Sequence, residues 1–182
     1  MYRKEIRIAG FGGQGVVLAG SIIGKAAAIH DNGFATLTQS YGPESRGGSC
    51  KAEVVISDTP VEYPYVVSPQ VQVILSQEAY VEYGRKAQSD IMMIIDSDLI
   101  TMDPSLSSRA LSIPASRMAQ DMGRPVVANI IMLGFLAATS NIVSSEALRK
   151  AILDSIPPGT ESFNMKAFEL GYNYGIEQVK KA

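Results

Sequence analysis

Apolar and polar positions along the chain alternate in two rhythms, period two and period three to four, that trade places from one end to the other. Residues 5–9, EIRIA, alternate and run into Gly10, which predicts a first strand. Leu18, Ile22, Ala26 and Ile29 then recur at helical spacing, predicting an amphipathic helix over 14–31. His-Asp-Asn-Gly at 30–33 closes it, with Gly33 suited to a left-handed cap. A second strand at 34–39, FATLTQ, completes a βαβ unit, which closes right-handed with parallel strands. Only ten turn-forming residues separate it from the next strand, 51–57, too few for a crossover helix. That strand is therefore expected to pair antiparallel or to sit elsewhere.

Beyond a proline-punctuated loop at 58–70, strands are predicted at 71–76 and 90–96 with a helix near 78–87 between them. A loop at 97–108, a short strand at 110–113, a helix at 115–122 and a short strand at PVVA (125–128) follow. The chain closes with an apolar helix at 128–140 and amphipathic helices near 145–155 and 160–179. The expectation is α/β: a single domain over 1–182 with a Rossmann-like, mostly parallel sheet flanked by helices. No charge occurs between Val126 and Ser145, but the strongly apolar part, Ile130–Ala138, falls well short of the ~20 residues that span a bilayer. It is expected to be a helix buried on all sides, in the core or at a subunit interface.

Composition narrows the function. The net charge is −2 and Lys and Arg are scattered, so the basic stripe of a nucleic-acid binder is missing. One Cys and one His exclude an intrachain disulfide, a four-ligand zinc site and an iron–sulfur cluster held by this chain alone. No secretory signal stands behind the first charges, and a cytoplasmic protein is expected.

The candidate chemistry is concentrated in two glycine-rich stretches. Gly10-Phe11-Gly12-Gly13-Gln14-Gly15 fits G-x-G-x-x-G between a strand and a helix, where backbone approaches phosphate and the helix N-terminus faces an anion. A dinucleotide site also needs an acid at the end of the second strand, and Thr36-Leu37-Thr38-Gln39-Ser40 offers none. Three readings stay open: a dinucleotide, another anionic ligand at Gly12, Gly13, Gln14 and Gly15, or glycines that only allow close packing. In the second stretch, SYGPESRGGS at 40–49, Arg46 before Gly47-Gly48 suits a bidentate grip on a phosphate or carboxylate, or is a solvated turn arginine. Both stretches follow strands, so they are expected on one edge of the sheet.

Cys50 is expected buried and inert, His30 a helix C-terminal residue, Asp96 and Asp98 turn or capping residues, and Asn129 a cap or a polar anchor at an interface. No catalytic pairing is assigned.

GFGGQGVVLAG, then SYGPESRGGSCKAEVVISDTPVEYP, then ANIIMLGFLAA together resemble the gamma subunit of the 2-oxoacid:ferredoxin oxidoreductases, in order and over nearly the whole chain. The resemblance implies an α/β subunit, closest to the 2-oxoglutarate type. Its enzyme decarboxylates a 2-oxoacid, captures the acyl group on coenzyme A and passes electrons to ferredoxin. It implies thiamine diphosphate, Mg and iron–sulfur clusters in alpha, beta or delta partner chains. For this chain it implies a scaffold role and a candidate coenzyme A contact at Gly12, Gly13, Gln14, Gly15, Arg46 and Gly47. The alternatives are a stand-alone NAD(P)-dependent oxidoreductase and a non-catalytic phosphate or coenzyme A module.

Overall fold

The computed structural model describes residues 2–42 and 48–180. Six strands, β1 (Arg3–Phe11), β2 (Phe34–Tyr41), β3 (Ser49–Ser57), β4 (Val71–Ile74), β5 (Met92–Asp96) and β6 (Ala110–Ile113), form one sheet. Their spatial order is β2-β3-β1-β4-β5-β6. The β1–β4, β4–β5 and β5–β6 pairs are parallel, and β3 runs antiparallel to both β1 and β2. The expected α/β fold and mostly parallel sheet are found. The opening βαβ unit differs in one respect: β2 runs in the direction of β1 but does not touch it. The short connection after β2 returns as a hairpin, and β3 takes the place beside β1.

Among the described residues, five of the six α-helices cover one face. These are α1 (Val16–Lys25), α3 (Ala115–Asp121), α4 (Ala128–Thr139), α5 (Ser145–Leu153) and α6 (Glu161–Val179). Ile6 and Ile8 of β1, Val54 and Ile56 of β3 and Val73 of β4 pack with them in the main core. The short α2 (Gln77–Ala79), prolonged by a wide π turn at Tyr80–Gly84, lies on the opposite face, where Ile74, Met93, Ile95 and Tyr80 make a smaller cluster.

The apolar segment is the core helix itself, not an interface: Asn129–Leu136 of α4 are buried without exception. Helix α6 crosses it at backbone contact. A Cβ on Gly134 would lie 2.0 Å from the Phe168 carbonyl oxygen, and one on Gly171 1.9 Å from that of Ile131. Among the described residues no helix is long and apolar enough to cross a membrane.

Three local expectations are corrected. Gly33 does not take the left-handed cap; Asn32 does, at φ 54°. Leu18 and Ile29 point to solvent although Ile22 and Ala26 are buried. The inward stripe is Val16, Ala19, Ile22, Ile23 and Ala26, and a π turn at Ala26–His30 carries Ile29 out of phase. The PVVA strand is absent: Pro125–Val127 form a single 3-10 turn leading into α4, with Val126 exposed.

Candidate functional site

The chain leaves β1 toward β2 and β3 on one side, while β4 leads to β5 and β6 on the other. A crevice therefore opens outside the carboxyl ends of β1 and β4, where open α/β sheets bind ligands. A cleft of about 290 Å³ lies there, lined by Gly10, Phe11, Ser40, Ser49, Lys51, Ser76 and Tyr83, with Glu78 and Glu82 on the α2 side. Its charge is mixed. Lys51 Nζ is 3.2 Å from Glu53 Oε2, and Arg7 Nε is 2.6 Å from Glu53 Oε1. The Tyr83 ring sits against both cations, its centroid 4.9 Å from the Arg7 guanidinium carbon and 5.7 Å from Lys51 Nζ. Burial, then the neighbouring Glu82, pushes the Tyr83 hydroxyl pKa up, so it stays protonated at neutral pH.

The glycine turn is a closed structure. Gly13 and Gly15 have φ of +98° and +72°, which L side chains rarely adopt. Gln14 folds back into the turn, where its Oε1 accepts from the Phe11 amide at 2.6 Å and its Nε2 donates to the Leu75 carbonyl at 2.7 Å. One side chain thereby ties β1 to the end of β4. A Cβ on Gly10 would lie 2.4 Å from that Oε1. Asn129, reaching from α4, donates to the Gly15 carbonyl at 3.4 Å and fills the space a Gly15 Cβ would take, 2.2 Å from its Nδ2. Asn129 is thus an internal anchor, not the cap of its helix.

The two glycine stretches do meet at their flanks. The Gly12 amide donates to the Gly48 carbonyl and the Gly42 amide to the Ser49 carbonyl, at 2.9 and 2.7 Å. Gly12, Gly13 and Gln14 stand at the mouth of α1, and Gly15 is its N-cap without a side-chain cap bond. Arg46 and Gly47 lie outside the described residues.

Other expectations resolve simply. Cys50 is buried, and burial raises its thiol pKa, so it is a poor nucleophile. Asp96, almost fully buried, accepts from the Ser116 amide and hydroxyl and the Asp98 amide at 2.9, 2.7 and 3.0 Å. It ties the end of β5 to the first turn of α3. Asp98 pairs with Arg117, and His30 Nε2 lies 2.8 Å from Asp154 Oδ2. Among the described residues no three His, Cys, Asp or Glu side chains gather where a metal would sit.

Sequence reasoning missed the role of Gln14 as a bolt between strands, and of Glu5. The Glu5 carboxylate, inside the sheet, accepts from the Val67 and Ser68 amides, each at 2.7 Å, and from Arg3 Nε at 2.7 Å.

These features define an α/β domain with a glycine turn between its first strand and first helix, but without the layout of a dinucleotide enzyme. The strand beside β1 is the antiparallel β3, and β2 ends in Gln39-Ser40-Tyr41. The family described as pyruvate ferredoxin/flavodoxin oxidoreductase matches residues 5–174. A 2-oxoglutarate synthase subunit KorC of Methanocaldococcus jannaschii is 50% identical over 178 residues, 96% of this chain and 95% of that protein. A ketoisovalerate oxidoreductase subunit VorA of Methanothermobacter thermautotrophicus is 31% identical over 97% of this chain, but the match takes up 37% of its length. The crystal structure of a keto/oxoacid ferredoxin oxidoreductase gamma subunit from Geobacter sulfurreducens superposes with a TM-score of 0.85 at 37% identity, covering 97% of this chain and 98% of that one. The chain belongs to the pyruvate ferredoxin/flavodoxin oxidoreductase family, as a gamma subunit of the 2-oxoacid:ferredoxin oxidoreductases.

The family implies thiamine diphosphate and iron–sulfur cofactors for the whole enzyme. The residues of this chain do not fit a cluster, since its one cysteine faces the main core.

Proposed function

We propose that this gamma subunit serves an enzyme of the 2-oxoglutarate type, which converts its 2-oxoacid to the acyl-coenzyme A and CO2 with electrons passed to ferredoxin. The observation that carries the substrate class is the gradient of identity, 50% to the KorC protein against 31% to VorA, each over nearly all of this chain. Alpha and beta chains, with or without a delta chain, are the proposed partners, and the cytoplasm the proposed compartment. Anaerobic purification of the tagged chain from its native extract tests this. Large partner chains carrying iron and thiamine diphosphate should co-elute, and the complex should turn over 2-oxoglutarate faster than pyruvate or 2-oxoisovalerate. Faster turnover of either competitor overturns the substrate class.

Within that enzyme the chain acts as a scaffold with one anion contact, toward coenzyme A, at Gly12, Gly13, Gln14, Gly15, Arg46 and Gly47. The crevice beside the turn and the N-terminus of α1 support this reading. Gln14 spends its side-chain amide on Phe11 and Leu75, and the Gly12 and Gln14 backbone amides already donate to Gly48 and Phe11, so the remaining amides of the turn together with Arg46 are the groups that meet phosphate. Arg46→Ala should raise the KM for coenzyme A at least fivefold while leaving the KM for the 2-oxoacid unchanged. Unaltered coenzyme A dependence removes Arg46 from the site.

A further inference from the structure

The two faces of the sheet are finished differently. Helices seal one; on the other, α2 and its π turn lie over β4 and β5, and the loop 58–70 is tied to the start of β1. That loop is tethered by its backbone. Arg3 donates to the Tyr63 and Tyr65 carbonyls at 3.0 and 2.9 Å, and Glu5 accepts from Val67 and Ser68. Its apolar side chains point away from the core: Tyr63, Tyr65 and Val67 are 55%, 57% and 73% exposed, and the two tyrosine rings meet edge-on at 5.6 Å. Backbone pinned by a buried carboxylate while aromatics face water is a poor arrangement for a free surface and a good one for preorganised interface anchors.

The neighbouring edge points the same way. Strand β2 is an edge strand, eight residues long, FATLTQSY, with no charge and no proline. An uncharged edge of this length is a template for another chain unless covered. Its register places Phe34, across from Ser57 and Arg3, on the open face, because the alternate residues Ala35 and Leu37 pack on the helical core. Among the described residues the buried side-chain oxygens without a hydrogen-bond partner are Thr38 Oγ1 and Gln72 Oε1. Both belong to the single cross-strand row Thr38–Glu53–Arg7–Gln72 of this face.

We infer that β2 and the Tyr63–Val67 segment form the surface on which a larger polypeptide of the same enzyme is seated. The occupant is the counterpart of the remaining length of the VorA relative. There the matching domain takes up 37% of a longer chain, whereas it fills 95% of the KorC protein. Arg3 is paired with Glu5, while Arg7 and Lys51 share the single carboxylate of Glu53, so most of the charge here is already engaged within the chain and the partner's contact is mainly apolar and hydrogen-bonding. It supplies apolar side chains around Phe34, Tyr63 and Tyr65 and hydrogen-bonding groups along the β2 edge. The inference rests on the subunit reading above.

The test is assembly in the complete complex. Phe34→Lys combined with Tyr65→Lys, co-expressed with the other subunits of the enzyme, should recover at least tenfold less complex than wild type. Val126→Lys, a still more exposed apolar site at the start of α4, should recover the wild-type amount. The isolated double variant should keep the wild-type circular dichroism spectrum. Independently, hydrogen exchange of wild type should slow at 34–41 and 61–68 on passing from free chain to complex. Full assembly of the double variant, or protection confined to α5 and α6, overturns the proposal. So does light scattering that shows the free chain to be a dimer through β2, a second copy then being the occupant. A wild-type chain that assembles with nothing refutes the subunit reading and this inference together, whereas a complex protected elsewhere refutes only the latter.

Discussion

The glycine turn at 10–15 and the loop at 58–70 are both irregular segments pinned by polar side chains, and they are pinned to opposite ends. In the turn, Gln14 and Asn129 fill the interior and leave no room for a side chain at Gly10 or Gly15. In the loop, Glu5 and Arg3 hold the backbone from beneath while Tyr63, Tyr65 and Val67 stay in water. The first segment is a joint and the second a display. Equal rigidity therefore does not imply equal purpose; the direction of the side chains separates them.

Substitutions can break this comparison at either end. The largest effect is expected at Gln14→Leu, which leaves the Phe11 amide and the Leu75 carbonyl without partners at the β1–β4 joint and should cost about 3 kcal/mol in urea unfolding. A loss below about 1 kcal/mol would mean the turn is held by other contacts. Gly15→Ala comes next, at about 2 kcal/mol, since a left-handed backbone and the Asn129 amide both oppose a Cβ. Adding Asn129→Ala should return part of that loss, which a double-mutant cycle reads directly.

At the loop, Glu5→Gln should cost about 1.5 kcal/mol and speed proteolysis within 61–68, because an amide cannot accept from two backbone amides and Arg3 as a carboxylate does. The same carboxylate gives a pH signature. Burial raises its pKa, but hydrogen bonds from Arg3, Ser68 and Val67 outweigh that and set it below the ordinary 4.5. A lowered folded pKa stabilises above the unfolded value and is lost as pH falls through the folded one. The stability gap between wild type and Glu5→Gln should therefore be full above about pH 5 and shrink steadily below 4.5. The smallest effect is expected at Tyr65→Lys, within about 0.5 kcal/mol for the isolated chain, since its ring faces solvent. A larger loss would make the loop part of the fold and erase its contrast with the turn.

Much of this was legible in the chain. Strict alternation gave β1, length and apolarity gave α4, and the short 40–49 stretch announced the antiparallel β3. The failures share a physical cause. Periodicity assumes 3.6 residues per turn, and the π turn after α1 breaks it, so Ile29 surfaced against its pattern. Gly33 was the stronger candidate for a left-handed cap, but Asn32 tolerates that region and Gly33 is hemmed in by the Ala27 and Ser57 carbonyls, each 3.2 Å from where its Cβ would be. At the candidate site the motif placed the glycines correctly between strand and helix. It could not show that Gln14 turns inward to Leu75, because that partner lies 61 residues away and only the strand order brings it near.

The contact between α4 and α6 also sets the order in which the domain can be made. The most apolar helix, Ala128–Thr139, is closed over by the last one, Glu161–Val179, with their backbones touching at Gly134 and Gly171. During synthesis α4 is complete before its cover exists, so an apolar rod waits until residues 161–179 have been made. A stop between Thr139 and Glu161 would release a chain that has made all six described strands yet cannot close its core. Such a product would be a client for chaperones and proteases, which places quality control of this subunit at the docking of α6.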